Sequence, residues 1–277
     1  MLMLSRLKKE LKAKASPKKA KILQRFFKTG PGEYGYGDVF LGVMVPETRK
    51  VAKKYSTLKM ADAVKLLHSK IHEERLAALL IMVDKFQAPE QQRSRKRISS
   101  SFLPSLPSKA RWGKKKVYFL RPGNEQEIIY KTYLKNTKYI NNWDLVDLSA
   151  EKIVGDYLFD KPKDILYKLA ESKSVWERRI AIIATFNFIK NNKFEETFKI
   201  SKILLNDEHD LIHKAVGWML REVGKRDIKK EKDFLDKYSK KMARTTFRYA
   251  IERFPGKNML IKKKKMKARL NFKNKRA

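Results

Sequence analysis

The sequence contains no cysteine and no long apolar run. Without cysteine there is no disulfide, no thiolate nucleophile and no zinc site with sulfur ligands. No segment approaches the roughly 20 apolar residues that span a bilayer, so we expect no membrane partner. The first ten residues already carry several charges, which is too early for a secretory signal. We therefore expect a cytoplasmic protein.

Acidic residues are also scarce. The 277 residues include 30 Asp+Glu against 66 Lys+Arg, which gives a formal net charge of +36. Such an excess repels itself in the compact state, and a polyanionic partner offsets that repulsion. Nucleic acid is the first candidate, because lysine and arginine displace counterions from phosphates. An anionic membrane surface, or a basic surface that only aids solubility, are the alternatives.

Two segments concentrate the positive charge. Residues 85–124 hold eleven basic residues and one acid, and residues 255–277 hold ten basic residues and no acid. We interpret about 87–124, which contains four prolines and a serine run, as an inserted basic loop. We expect the Lys-rich tail, 257–277, to be a disordered arm that contacts phosphates. The rest of the chain remains net positive without these segments.

Apolar residues recur at helical spacing over most of the chain, and no long stretch alternates with period two. The pattern predicts helices near 2–14, 18–29, 46–55, 60–69, 72–86, 125–138, 143–159, 163–172, 174–190, 194–206, 210–224, 227–239 and 243–253.

Several of these helices resemble one another in sequence. Asp147 precedes Arg179 by 32 residues, and Arg179 precedes Lys214 by 35. A helix pair that recurs every 30–47 residues is typical of HEAT and armadillo repeats. We therefore predict an all-α protein, a HEAT/armadillo-like α-α superhelix of stacked antiparallel helix pairs that forms one domain over 1–256. Residues in the same register then line one face of the repeats.

The segment Asn142-Trp-Asp-Leu-Val-Asp147 carries the first candidate site residues. Trp143 and Asp147 are four residues apart and lie on one face of a helix, at the edge of its apolar stripe. A carboxylate between Val146 and Leu148 is costly to bury unless it has a partner or a use. The sequence therefore favours a functional role for Asp147, with a structural ion pair as the alternative.

Two later helices carry unusual cationic and aromatic residues. Arg178 and Arg179 lie side by side in a helix that is apolar over most of its circumference, and the residues alone favour buried ion pairs with Glu177 or with an acid of a neighbouring helix. Trp218 falls almost opposite the apolar stripe of its own helix, beside Lys214 and Arg221. We interpret it as a flat surface for a sugar–base unit, flanked by phosphate-binding cations. Packing against the next helix pair is the alternative.

The four histidines form two pairs at i,i+4 spacing, His68/His72 and His209/His213. That spacing suits a metal, but no acidic third ligand and no His-Glu-x-x-His pattern accompanies either pair. We interpret these histidines as surface or helix-end residues and predict no metal and no cofactor.

Three motifs together resemble the AlkD family of bacterial DNA alkylation-repair proteins: Asn142-Trp-Asp-Leu-Val-Asp147, Trp176-Glu-Arg-Arg-Ile-Ala-Ile182, and Lys214-Ala-Val-Gly-Trp-Met-Leu-Arg-Glu222. The segment Gly37-Asp-Val-Phe-Leu-Gly-Val43 is similar to the N-terminal region of that family. The similarity covers about 17–254, apart from the insertion. Asn142 stands where the family commonly has a second tryptophan, and Phe26 where it has an aromatic hydroxyl.

The resemblance implies a DNA glycosylase for N3- and N7-alkylated purines that acts on double-stranded DNA, and we expect a monomer. It implies a site formed by Trp143, Asp147, Arg179 and Trp218, with Asp147 stabilising a cationic sugar, the tryptophans holding the lesion and Arg179 clamping a phosphate. Arg178, Lys214 and Arg221 would add DNA contacts. The alternative function is a non-catalytic helical-repeat scaffold that binds nucleic acid.

Overall fold

The computed structural model describes residues 2–88 and 125–254. Nearly all of the predicted insertion and the whole of the predicted tail lie outside these ranges. The chain forms two compact units, Met1–Tyr139 and Ile140–Ala277. Within the described ranges the regular structure is helical, apart from one isolated bridge between Val39 and Ile71.

The first unit contains six α-helices in its described part. They are α1 (Leu2–Ala13), α2 (Pro17–Phe26), α3 (Val45–Lys54), α4 (Met60–Leu67), α5 (His72–Gln87) and α6 (Glu125–Lys135). Helix α5 is buried over most of its length, with α3 and α4 packed against it. It is apolar around most of its circumference, and helices of that kind occupy the centre of a unit.

The second unit contains the candidate site residues. Its described helices are α7 (Trp143–Ala150), α8 (Asp164–Ala170), α9 (Val175–Lys190), α10 (Glu195–Ile203), α11 (Asp210–Gly224), α12 (Ile228–Tyr238) and α13 (Arg244–Ala250). Helices α7, α9, α11 and α13 pack successively side by side. Helices α8 and α10 pack against α9, and α12 packs against α11. This arrangement is the predicted stack of helix pairs.

The structure confirms the predicted helices in number and order within the described ranges but shortens several of them. The predicted helix over 143–159 is α7 followed by a π-helical turn, Glu151–Gly155. At Gly155 a Cβ atom would collide with the carbonyl oxygen of Ala184 in α9. Helix α7 and its continuation therefore approach α9 closely at a point where only glycine fits.

A recurring turn precedes helices α5 and α9. Before α9, the hydroxyl of Ser172 accepts a hydrogen bond from the backbone N–H of Ser174 (3.1 Å). Arg178 folds back from the first turn of α9, and its Nη1 donates to the carbonyls of Ser172 and Lys173 (both 2.9 Å). Before α5, Ser69, Ile71 and Arg75 repeat this pattern with the same spacing.

The turn before α11 has the same geometry with different residues. The Asp207 carboxylate accepts from the backbone N–H of His209 (2.9 Å), and the His213 ring donates to the Asp207 carbonyl. Asp207 also accepts from Nε of Arg178 (2.6 Å). The carboxylate that forms the turn of one repeat thus also binds Arg178 of the preceding repeat. Arg178 and His213 occupy the same position in the two repeats, 35 residues apart.

A buried polar cluster holds the loop before α3 in the first unit. The Glu73 carboxylate accepts from the backbone N–H groups of Leu41, Gly42 and Val43. His72, the first residue of α5, is buried and hydrogen-bonds to Asp38. His72 is thus a helix-end residue, as predicted, but it is not a surface residue.

Candidate active site

Four charged residues occupy the same position in four successive helices of the second unit. The fifth residue of α7, α9, α11 and α13 is Asp147, Arg179, Lys214 and Arg248, respectively. Asp147 contacts Arg179 across α7 and α9, and the four residues share one register of successive repeats, so we group them as one strip along the unit. On α11 this strip lies opposite the apolar face and also contains Trp218. We call it the charged strip.

Asp147 and Arg179 form a bidentate ion pair across the neighbouring helices α7 and α9. Arg179 Nε donates to one carboxylate oxygen at 2.9 Å, and Nη2 donates to the other at 2.8 Å. Nη1 of Arg179 donates to the carbonyl of Leu211 at 2.5 Å. Arg179 is only 5% exposed, whereas the Asp147 side chain is 17% exposed. The pair therefore fixes a carboxylate that still reaches solvent.

The charge state of Asp147 depends on two opposing effects. Burial raises the pKa of Asp147, while the charge and hydrogen bonds of Arg179 lower it. The nearby carboxylate of Asp144 adds to the rise, so the pKa lies above its ordinary value. Arg179 is thus the group that favours the ionised form of Asp147.

Trp143 is the first residue of α7 and lies one turn before Asp147 on the same face. The side chain of Asn142 caps the helix and accepts from the backbone N–H of Trp143 at 2.8 Å. Trp143 is half-buried. The cap sets where α7 begins, and the i,i+4 spacing then places Trp143 and Asp147 on one face of the helix.

Trp218 is half-buried, and both its N–H group and its ring make contacts. Its indole Nε1 donates to Glu222 at 3.2 Å, one turn further along α11. The ring lies 5.9 Å from that of Phe186 in α9, at 56°. The ammonium of Lys190 lies 4.6 Å from the Phe186 ring centre and forms an ion pair with Glu151 at 2.5 Å. The indole therefore has a fixed orientation.

The three predicted DNA-binding cations all have acidic partners. Arg178 pairs with Asp207 at 2.6 Å, Lys214 pairs with Asp210 at 2.7 Å, and Arg221 pairs with Glu252. Arg178 lies about 100° around α9 from Arg179, and its guanidinium reaches back to the turn before the helix. The structure therefore brings Asp147 and Arg179 together and places Arg178 away from the charged strip.

Two features of this unit were not predicted from the sequence. The pair Glu151–Lys190 lies one turn beyond Asp147, and the i,i+4 spacing of Asp147 and Glu151 was a signal for it. Glu231 of α12 is 1% exposed and faces Gly224, where a Cβ atom would collide with its carboxyl group. Burial raises the pKa of Glu231 to about 8, against the lowering effect of Arg221.

Histidine and acidic residues do not form a metal site within 2–88 and 125–254. No group of three His, Cys, Asp or Glu residues there is close enough to hold an ion. His209 Nδ1 accepts from the backbone N–H of Leu211, and His213 bonds to the Asp207 carbonyl. None of the described helices is long and apolar enough to cross a membrane.

Comparison with known proteins identifies the class and then the family. One solved structure, titled a "predicted DNA alkylation repair enzyme" from Enterococcus faecalis, superposes with a TM-score of 0.61 at 16% sequence identity. The match covers 88% of this chain and 98% of that one, and it confirms the all-α superhelical repeat fold. The sequence model of the DNA alkylation repair enzyme family matches residues 7–254, so the chain belongs to that family. No curated protein sequence matches the chain.

Proposed function

We propose that this protein is a DNA glycosylase that hydrolyses the N-glycosidic bond of cationic N3- and N7-alkylated purines in duplex DNA. The family membership supports a role in the repair of alkylated DNA. The structural observation that supports glycosylase activity is the carboxylate of Asp147. Arg179 binds this carboxylate with two hydrogen bonds, and part of it remains exposed to solvent. The protein would act as a monomer in the cytoplasm, without a metal or cofactor.

The charge of the substrate determines what the site must supply. An N7- or N3-alkylated purine already carries a positive charge, so the base leaves with the electron pair of the glycosidic bond and needs no general acid. Positive charge then builds up on the deoxyribose. A fixed carboxylate stabilises that charge in the transition state and orients the water that adds to C1′. Asp147 is the charged-strip carboxylate that suits this role.

The aromatic residues would hold the lesion. Trp143 shares a face of α7 with Asp147, and Trp218 lies on the same charged strip with its N–H bound to Glu222. A bound N–H leaves the face of the indole as the surface for contact. Aromatic faces attract cations, so both rings would favour an alkylated purine over a neutral one.

Arg179 has two tasks in this proposal. Three of its N–H groups are bound, two to Asp147 and one to the carbonyl of Leu211. Because a guanidinium has five N–H donors, two remain for the predicted phosphate contact. Holding Asp147 would be the first task, and clamping a phosphate would use the remaining donors.

The scaffold alternative is favoured by the same ion pair. A buried arginine needs an acidic partner, and Asp147 meets that need without any catalytic role. Under this alternative the protein binds duplex DNA and leaves alkylated bases in place.

Release of free 7-methylguanine from methylated duplex DNA distinguishes the two functions. We expect the wild-type protein to release the base at a rate well above that of spontaneous depurination. Asp160→Asn, which removes a carboxylate whose side chain is 80% exposed, should excise normally and serves as the control for loss of one charge. Tight duplex binding by a folded wild-type protein that releases no base would favour the scaffold.

A further inference from the structure

The cations of the charged strip and its surroundings are largely neutralised. Arg179, Lys214 and Arg221 each have a carboxylate within ion-pair distance. A paired cation attracts a phosphate only weakly, because its partner repels the phosphate and must be displaced or shared. The affinity for a phosphodiester backbone should therefore come from cations without acidic partners.

Helix α13 supplies two such cations. Arg244 and Arg248 are exposed and stand one turn apart on one face of the helix. Neither has an acidic partner within residues 2–88 and 125–254. The segments outside those ranges offer almost none, since residues 255–277 contain no acid and residues 89–124 contain a single one, Glu90.

Close packing fixes which side of α13 these arginines occupy. At Gly217 in α11, a Cβ atom would lie 2.5 Å from both the Thr246 carbonyl oxygen and the Tyr249 Cβ. The side of α13 that contains Thr246 and Tyr249 therefore lies against α11. Thr246, Phe247 and Ala250 are buried. The arc that remains for solvent contains Arg244 and Arg248.

The link between α11 and α13 extends the charged strip. Asp210, the partner of Lys214, also accepts a hydrogen bond from Thr245 of α13. Burial opposes the ionisation of Asp210, but the hydrogen bond and charge of Lys214 and the Thr245 hydroxyl outweigh it and lower its pKa. Asp210 thus remains ionised as the partner of Lys214. Arg248 occupies the equivalent position one helix further on and has no such partner in the part of the chain that the structure describes.

We propose that Arg244 and Arg248 form a phosphate-binding pair that binds the duplex backbone at the α13 end of the charged strip. The proposal rests on the proposed function only in taking duplex DNA as the ligand, and it assigns two phosphate contacts of this unit to α13. Two long cationic side chains about 5–6 Å apart at Cβ reach the oxygens of one phosphate or of two neighbouring ones. Phosphate contacts position the protein without reading sequence.

The test is the salt dependence of duplex binding by the double variant R244A/R248A. Each phosphate contact adds about 0.9 to the slope of log K against log salt concentration, so losing two should make the slope shallower by about 1.8. The affinity for unmodified duplex should fall equally for unrelated sequences. The control variant K229A/K232A removes two exposed lysines from α12 and should leave the slope unchanged. R244K/R248K should largely preserve the slope, because it preserves both charges.

The outcomes separate this inference from the proposed function. A slope for R244A/R248A equal to that of K229A/K232A overturns the inference, even if the wild type excises alkylated bases. A wild type that binds duplex with the expected slope change in R244A/R248A, yet releases no base, supports the inference and refutes the glycosylase proposal. Absence of duplex binding by the wild type overturns both. If R244A/R248A melts early, R244Q/R248Q carries the same expectation with more of the side chain kept.

Discussion

Replacing Asp147 by asparagine should lower both the excision rate and the stability, for separate physical reasons. The amide keeps the shape of the carboxylate but cannot stabilise a cationic sugar. Removing a preorganised electrostatic group of this kind costs about 100- to 1000-fold in rate. Ground-state binding to the duplex should hardly weaken, because the substitution removes a negative charge from the charged strip.

The loss of stability follows from Arg179. Arg179 is 5% exposed, and after Asp147→Asn its guanidinium retains one amide oxygen and the Leu211 carbonyl as acceptors but no countercharge. Removing one partner of a buried ion pair costs about 3–5 kcal/mol. At roughly 2–4 °C per kcal/mol for a domain of this size, the Tm should fall by about 10 °C. A lower rate in this variant alone would therefore not prove a catalytic role.

The double variant D147N/R179M separates catalysis from folding. It removes the unpaired charge along with its partner, so the Tm should recover a large part of the loss. Single-turnover release of 7-methylguanine at saturating protein then measures the rate of the folded molecule. If Asp147 is catalytic, the double variant should be as slow as D147N and slower than R179M. A double variant that regains both Tm and excision rate would refute the catalytic assignment.

The remaining predictions concern other features of the chain. Glu231→Gln should raise the Tm more at pH 9 than at pH 6, and the exposed Glu195→Gln serves as the control. The pKa of Glu231 in the folded protein is about 8 and exceeds the ordinary value of 4.5, so the stability of the wild type falls as the pH rises from about 4.5 through 8. Between pH 6 and pH 9 the difference should be on the order of 3 kcal/mol, because the folded pKa lies about two units above pH 6 at about 1.4 kcal/mol per unit, and a parallel pH profile in both proteins would contradict it. Gly217→Ala should destabilise the fold by about 1–3 kcal/mol, because the added methyl group meets the Thr246 backbone of α13, and an unchanged melt would show that the helices can separate freely. Deleting residues 257–277 should weaken duplex binding uniformly and make its salt dependence shallower, and an unchanged slope would mean that these ten cations do not contact phosphates. Excision should survive EDTA, and loss of activity that zinc or magnesium restores would contradict the interpretation of the histidine pairs.

The sequence predicted the helices and the register of the candidate site because both follow from local periodicity. Asp147, Arg179 and Lys214 occupy one position in successive repeats, so their spacing in the sequence alone predicts that they lie on one face. Arg248 follows Lys214 by 34 residues and belonged to the same series. Spacing alone does not distinguish Arg248 from the many other basic residues of the chain.

The partners of the charged residues could not be predicted in the same way. Arg178 and Arg179 are neighbours in sequence, yet one closes the turn before α9 and the other binds Asp147. Which of the two arginines closes the turn and which binds Asp147 depends on the path of the preceding loop and on the rotation of α7 against α9. The π-helical turn at Glu151–Gly155 was also hidden, because a single added residue in a helical turn leaves the apolar pattern nearly unchanged.

The shared carboxylate of Asp207 limits how this array can gain or lose repeats. It closes the turn before α11 and binds Arg178 of the preceding repeat, so adjoining repeats are not interchangeable modules. A tandem copy of residues 172–206 inserted before Asp207 would place a serine, Ser172 of the second copy, opposite Arg178 of the first. That arginine would lose its counterion while keeping its two carbonyl acceptors. Lengthening the array by duplication thus requires an acid at the position of Asp207 between each pair of adjoining repeats. Evolution or design must therefore conserve this contact between repeats, and not only the helix pair itself.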